Sequence, residues 1–281
     1  EVVNNLKNLS TPITSIDDIE QIATISANND STIGKLIATA LDKVGQDGSI
    51  TIEESRSTET SLDITEGFRF NSGFSAGAFI TDDRRATMYH ENPLILVTDY
   101  KISAVEDVLP VLEMVARESR PLIIVAEEVE GQALAALIMN AMRGSLKVAA
   151  IKAPYYGEER RNTLEDLALS TGATFITRES GVKLSETRMS HLGSSKSIES
   201  NKYSTTIVGG ACDYEAVEVK IESLKSEIKQ TDSLSVCDTI QGRVVRLSSG
   251  VAVINVGGTT EVEMTERKHR IEDALEAVRS A

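Results

Sequence analysis

The 281-residue chain is 41% hydrophobic and 26% charged, the balance of an ordinary soluble globular protein with room for two domains or one large one. A net charge of −14 leaves no basic stripe to displace phosphate counterions or to meet an anionic lipid surface, which sets aside nucleic acid and membranes as partners. Two cysteines without a CxxC pair, and three scattered histidines, exclude a disulfide framework and a structural zinc site and favour a reducing, cytoplasmic setting.

The chain starts inside a helical pattern (Val2, Val3, Leu6, Leu9) and ends in another over Ile271–Val278, so both ends read as cut from something longer. A proline-containing connector, residues 9–14, leads to Ser15, which caps a helix carrying Ile16, Ile19, Ile22 and Ala23. Asp17 and Asp18 suit that helix's positive end. Asn28-Asn29-Asp30 break it and start a second, where Ile33, Leu36, Ile37, Ala40, Leu41 and Val44 keep the helical period. Gly45-Gln46-Asp47-Gly48 turn into a short strand, Ser49 to Glu53, and Leu62 to Thr65 alternates like a half-buried strand. Residues 68–80 then set Phe68, Phe70, Phe74 and Phe79 among glycine and alanine hinges. Aromatic side chains in such a segment predict either docking onto the body or an exposed apolar lip.

After Pro93 the pattern alternates strand and helix. Strand Leu94–Thr98 precedes a helix with Val105, Val108, Leu109, Leu112, Val115 and Ala116 in period; Pro110 within it is tolerable near the first turn. Leu122–Ala126 is apolar throughout, as a parallel strand covered on both faces should be. The next helix follows Gly131, with Leu134, Leu137, Ile138, Ala141 and Met142 on one face, and Ala135, Ala136 and Met139 spreading onto neighbouring faces. Strand Val148–Lys152, helix Arg160–Ser170 and strand Thr174–Thr177 continue the order, which predicts a parallel α/β sheet. Residues 185–202 read as polar and irregular. Strand Tyr203–Val208, helices Tyr214–Ile228 and Leu234–Leu247, strand Val251–Val256, the Gly257-Gly258 turn and a final helix complete the chain. The two helices around Leu122–Ala126 carry more apolar surface than one core contact needs. Taken alone, such stripes are core more often than binding surface.

Signatures of small-molecule chemistry are missing. There is no GxxxxGK[ST], so Gly34-Lys35 is a helix pair and no phosphate cradle, and no GxGxxG follows a strand. No GxSxG elbow marks a serine nucleophile. Binding through apolar surface fits this α/β region better than catalysis. The competing classes are a small-molecule-binding α/β enzyme, whose ligand would lie beyond the carboxyl ends of the strands, and a purely structural ring module.

Several stretches together closely resemble the group I (GroEL-type) chaperonins. They are Thr24–Asn28, Val129-Glu130-Gly131, Asn140–Gly144, Lys147–Pro154, Gly250–Gly257, Thr260–Met264 and Glu272–Leu275. The resemblance runs in register along essentially the whole chain. It implies an α/β apical domain, a parallel-rich sheet flanked by helices, over residues 66–251. It also implies a smaller, mainly helical intermediate domain made from both chain ends, 9–65 and 252–281, with an equatorial-helix remnant at 1–8. The equatorial domain, which in the family holds most of the ATP pocket, has no counterpart here. The full-length protein is accordingly expected to be an ATPase using ATP and Mg2+, and neither is expected on this chain.

In the family, non-native polypeptide binds between two apical helices beside an extended aromatic segment. The corresponding positions are Leu109 and Leu112, then Leu134, Ile138 and Met139, with Phe74, Ala76, Ala78 and Phe79 on the segment. Burying one such side chain contributes about 1.5–3 kcal/mol, so a few contacts hold a chain weakly and a homo-oligomeric ring raises the avidity. The same face is the expected dock for a lid co-chaperonin. Asp273 matches the family's catalytic aspartate, and Asp30 with Arg270 a family salt bridge. Ser72 stands where an arginine commonly pairs with a neighbouring subunit's glutamate, here Glu261. Asp82 replaces a lysine whose partner corresponds to Glu130, Ala76-Gly77-Ala78 replace bulkier residues, and Tyr155-Tyr156 replace a Pro-Gly-Phe-Gly type turn, so the chain reads as a divergent member.

Overall fold

The structure is a computed structural model that describes residues 13, 15–44, 49–55, 57–231, 233–248 and 250–281. The helical pattern at Val2–Leu9, the connector apart from Ile13, and the Gly45–Gly48 turn lie outside the described residues. In chain order the elements are α1 (Ile16–Ser26), α2 (Ser31–Val44), β1 (Ser49–Glu54), β2 (Ser61–Phe70), β3 (Met88–Glu91), β4 (Leu94–Val97) and β5 (Lys101–Ile102). Next come α3 (Val105–Glu118), β6 (Leu122–Ala126), β7 (Glu128–Val129), α4 (Gly131–Met142), β8 (Val148–Lys152) and α5 (Gly157–Thr171). The last are β9 (Gly193–Ser200), β10 (Thr205–Gly210), α6 (Tyr214–Gln230), α7 (Leu234–Ser248), β11 (Gly250–Val256) and α8 (Glu261–Ser280). The chain divides into two compact units, Glu1–Thr65 with Gly250–Ala281, and Glu66–Ser249.

The first unit is built from both chain ends and is mainly helical. Ser15 and Asp18 form a reciprocal capping box at α1, the Asp18 N–H donating to Ser15 Oγ and the Ser15 N–H to Asp18 Oδ2. Asn28 and Asn29 take left-handed φ values of 58° and 64°, which stops α1, and Asp30 Oδ1 accepts from the Thr32 N–H to start α2. The two helices then pack so closely that a Cβ on Gly34 would lie 2.0 Å from Thr24 Oγ1. β1 pairs in parallel with β11 from Ser49↔Val251 to Glu54↔Val256. Ile37, Ile254, Ile271 and Leu275 close the core beneath them.

The second unit carries a mixed sheet in the order β2-β10-β9-β4-β6-β8, with β3 on β9. β4, β6 and β8 run parallel, and Leu94–Val97 and Leu122–Ala126 are buried at every position. α3 and α4 are the crossovers between these strands. Pro110 falls in the second turn of α3, beyond the expected position near the first, so its ring replaces the N–H that would bond the Glu106 carbonyl.

Two predicted segments differ. Residues 193–200, expected to be irregular, form β9, an internal strand paired with β3, β4 and β10. Its buried serines are satisfied locally, Ser195 Oγ donating to the Ser197 carbonyl and Ser200 Oγ lying 2.8 Å from Thr205 Oγ1, so small polar residues occupy a strand that apolar ones would have announced. The strand expected at Thr174–Thr177 shrinks to one parallel bridge, Thr98↔Ile176, because a turn closed by Thr177 and Ser180 ends it. β2, read as far as Thr65, continues to Phe70 and buries Phe68 and Phe70.

Arg243 on α7 and Asp166 on α5 form a buried two-pronged pair, Nε to Oδ2 at 2.8 Å and Nη2 to Oδ1 at 2.7 Å. Arg243→Met leaves an uncompensated buried carboxylate and is expected to cost about 3–5 kcal/mol in urea denaturation, whereas Arg243→Met with Asp166→Leu recovers most of it. His90 on β3 is held down at a pKa of about 4, first by burial and second by the charge of Lys147. Its neutral ring favours the folded state above the ordinary histidine pKa, and that contribution is lost as pH falls from about 6.5 through 4. His90→Gln should flatten the decline in folding free energy between pH 7 and pH 4.5, by at most about 3 kcal/mol and by less where solvent reaches the half-buried ring.

Candidate apolar binding surface

α3 and α4 pack against one another, and their N-terminal ends are fixed by a short parallel ladder. Lys101↔Glu128 and Ile102↔Val129 pair as β5 and β7. The Glu130 N–H then donates to the Ile102 carbonyl at 2.9 Å, and the Ala133 N–H to the Ser103 carbonyl at 3.1 Å. Gly131 opens α4 at φ +58°, where a side chain would be strained. Lys101 Nζ lies 3.3 Å from Glu128 and 3.0 Å from Glu130, and Lys152 Nζ 3.2 Å from Glu128. Those bonds and charges raise the Lys101 pKa, with Glu130 contributing most, and lower that of Glu128, with Lys152 contributing most.

α4 has nine apolar residues in twelve and no charged one, yet only Ala133 and Leu137 are buried. Leu134, Ile138 and Ala141 are half-buried against the core, while Met139 and Met142 are 48% and 72% exposed. On α3 the buried stripe is Val108, Val111, Leu112 and Val115, and Leu109 stands 45% exposed beside it. The expected segment runs antiparallel to the edge of β8 at Phe74↔Ile151, with the Ser75 N–H on the Ala150 carbonyl at 2.8 Å. Its short helical turn, Gly77–Phe79, packs on α4.

Of the nine positions expected to offer surface, two do not. Leu112 is 5% exposed and Phe79 3%, because each completes the core under its own element. Phe74 and Ala76 are half-buried against that core and Ala78 is exposed. Leu109, Leu134, Ile138 and Met139 retain accessible surface. Met142, exposed at the end of α4, belongs to the helix's apolar face by its spacing and extends the surface beyond the expected binding positions.

The other predicted positions lie apart from this surface. Asp273 is exposed on α8, and its carbonyl accepts from Ser26 Oγ at 3.3 Å. Arg270 Nη1 lies 3.8 Å from Asp30 Oδ2, although its closer partner is Glu266, one turn away. Asp82 Oδ1 accepts from the Arg84 and Arg85 N–H groups, so that carboxylate shapes its own turn. Glu130 has Lys101 as partner within the unit.

Beyond the carboxyl ends of β4 and β6 there is a cleft of about 240 Å³ lined by Asp99, Glu127, Arg160, Arg161 and Arg178. Burial raises the pKa of Asp99, a rise partly offset by the Arg178 main-chain N–H and by the charges of Arg161 and Arg178. Two of its three arginines already have acidic partners, Arg160 with Glu127 at 2.8 Å and Arg161 with Glu179. The cleft is therefore largely charge-balanced by its own wall, and it makes a weaker ligand site than the open apolar surface of α4. Among the described residues no group of three or more His, Cys, Asp or Glu side chains is gathered to hold a metal ion, and no helix is long and apolar enough to cross a membrane.

The fold and this surface define an α/β module whose candidate site is exposed apolar helix, coupled in one chain to a small discontinuous helical unit. The chain belongs to the TCP-1/cpn60 chaperonin family, whose match covers residues 1–281, and its general role is that of a chaperone. The division between buried and exposed apolar residues on α4 is directly measurable. Leu137→Ala should cost about 2–5 kcal/mol in urea denaturation, because it opens a cavity in the core. Met139→Ser, at a surface position, should stay within about 0.5 kcal/mol of the parent.

Proposed function

We propose that this chain captures non-native polypeptide on the apolar surface of α3 and α4, in the manner of the group I chaperonins it resembles. The observation that carries the reading is α4 itself, an uncharged helix with nine apolar residues of which two are buried. Exposing that much apolar side chain forfeits burial worth about 25 cal/mol per Å², and a monomer that never used the surface would gain by making it polar. Leu109, Leu134, Ile138, Met139 and Phe74 form the contact surface, while Leu112 and Phe79 hold its backing in place. The α3–α4 surface is a groove for extended or helical apolar segments and the dock for a lid co-chaperonin. Each contact is weak, and repetition around a homo-oligomeric ring supplies avidity.

In the full-length protein, capture and release are driven by ATP. In this reading the chain's own contribution to hydrolysis is Asp273. Its exposed carboxylate on α8 accepts a hydrogen bond from the attacking water and orients it. The assembly works in the cytoplasm.

The reading is tested by the chain's power to suppress aggregation of a chemically denatured protein. Leu134→Ser or Ile138→Ser should abolish suppression while circular dichroism shows the fold intact. Undiminished suppression by both variants would place the binding surface elsewhere.

A further inference from the structure

Deepening the reading of that surface, the arrangement of charge beside it points to a client class. α3 presents Leu109 with Glu106 three residues before it and Glu113 four residues after it, so both carboxylates neighbour Leu109 on the helix surface. Both are exposed, and among the described residues no ion pair engages Glu106, Asp107 or Glu113. Arg117 lies a further turn along and is likewise without an ion pair among the described residues. At the N-terminal ends of the two helices the cation Lys101 is already engaged by Glu128 and Glu130. α4 opposes this acidic rim with no charge at all between Gly131 and Met142.

We infer that the surface selects apolar segments that also carry lysine or arginine, amphipathic stretches whose apolar side chains lie on α4 and whose cations meet Glu106 and Glu113. The argument is charge complementarity next to an apolar wall. An apolar segment bearing acids would bring like charges together at the rim, whereas one bearing bases finds two carboxylates that no ion pair engages among the described residues, Arg117 being the nearest cation to Glu113 along the helix. The contacts are exposed and screened, so selection acts through on-rate and modest affinity differences at low ionic strength.

The test uses three short labelled peptides of identical apolar sequence, with lysine, glutamine or glutamate at the polar positions, titrated onto the chain by fluorescence anisotropy. The lysine peptide should bind more tightly than the glutamate peptide by roughly fivefold or more at low salt, with the glutamine peptide between them, and high salt should collapse the series. Glu106→Gln with Glu113→Gln should level the three affinities. Equal binding of all three peptides by the parent, or a preference that persists in the double variant, overturns the inference alone. If no peptide binds, or if Leu134→Ser leaves all three unaffected, the groove reading fails and this inference falls with it.

Discussion

Everything at the candidate site depends on how little of α4 is needed to hold it. The sheet below is saturated, since β4 and β6 are buried at every residue and fill the interior with their own side chains. α4 is fully buried only along Ala133 and Leu137, four residues apart on one face, with Leu134, Ile138 and Ala141 half-buried beside that line. The alanine permits close approach, and the leucine supplies most of the buried area. Met139 and Met142, farther round the helix, stand in solvent. The β5–β7 ladder and the Gly131 turn then fix where the helix begins, so the exposed face is presented by main chain rather than by its own packing.

A large part of this was legible in order along the chain. The apolar runs Leu94–Val97 and Leu122–Ala126 announce doubly covered parallel strands, and the capping residues Ser15 and Asp30 mark helix starts by mechanisms that act locally. The family resemblance pointed to the α3–α4 surface, and composition agreed, because α4 has more apolar residues than one stripe can bury. β9 was not legible. A strand whose inward positions are serines has no hydrophobic alternation, and only its partners β4, β10 and β3, distant in sequence, give it a place.

Individual burial was the other limit. Periodicity places Leu109 and Leu112 on a common apolar face, yet one is 45% exposed and the other 5%. That split is set by where the neighbouring sheet and helix stop, which no local pattern encodes. The same holds for the phenylalanines of residues 68–80. Composition allowed either docking or display, and the structure docks Phe68, Phe70 and Phe79 fully while leaving Phe74 half covered. Their burial comes from two different sources, strand pairing for Phe68 and Phe70 and a short helical turn on α4 for Phe79.

The parallel pairing of β1 with β11 has a consequence for biogenesis. Ser49 meets Val251, so the first unit's ladder joins residues about two hundred positions apart, whereas residues 66–249 form their unit from one unbroken stretch. During synthesis from the N-terminal end, the unbroken stretch is complete as soon as its own last helix emerges. The helices α1 and α2 must wait until β11 and α8 have also been made, with Ile37 and Ile33 uncovered in the interval. For that interval the nascent chain of this chaperone carries uncovered apolar side chains of its own.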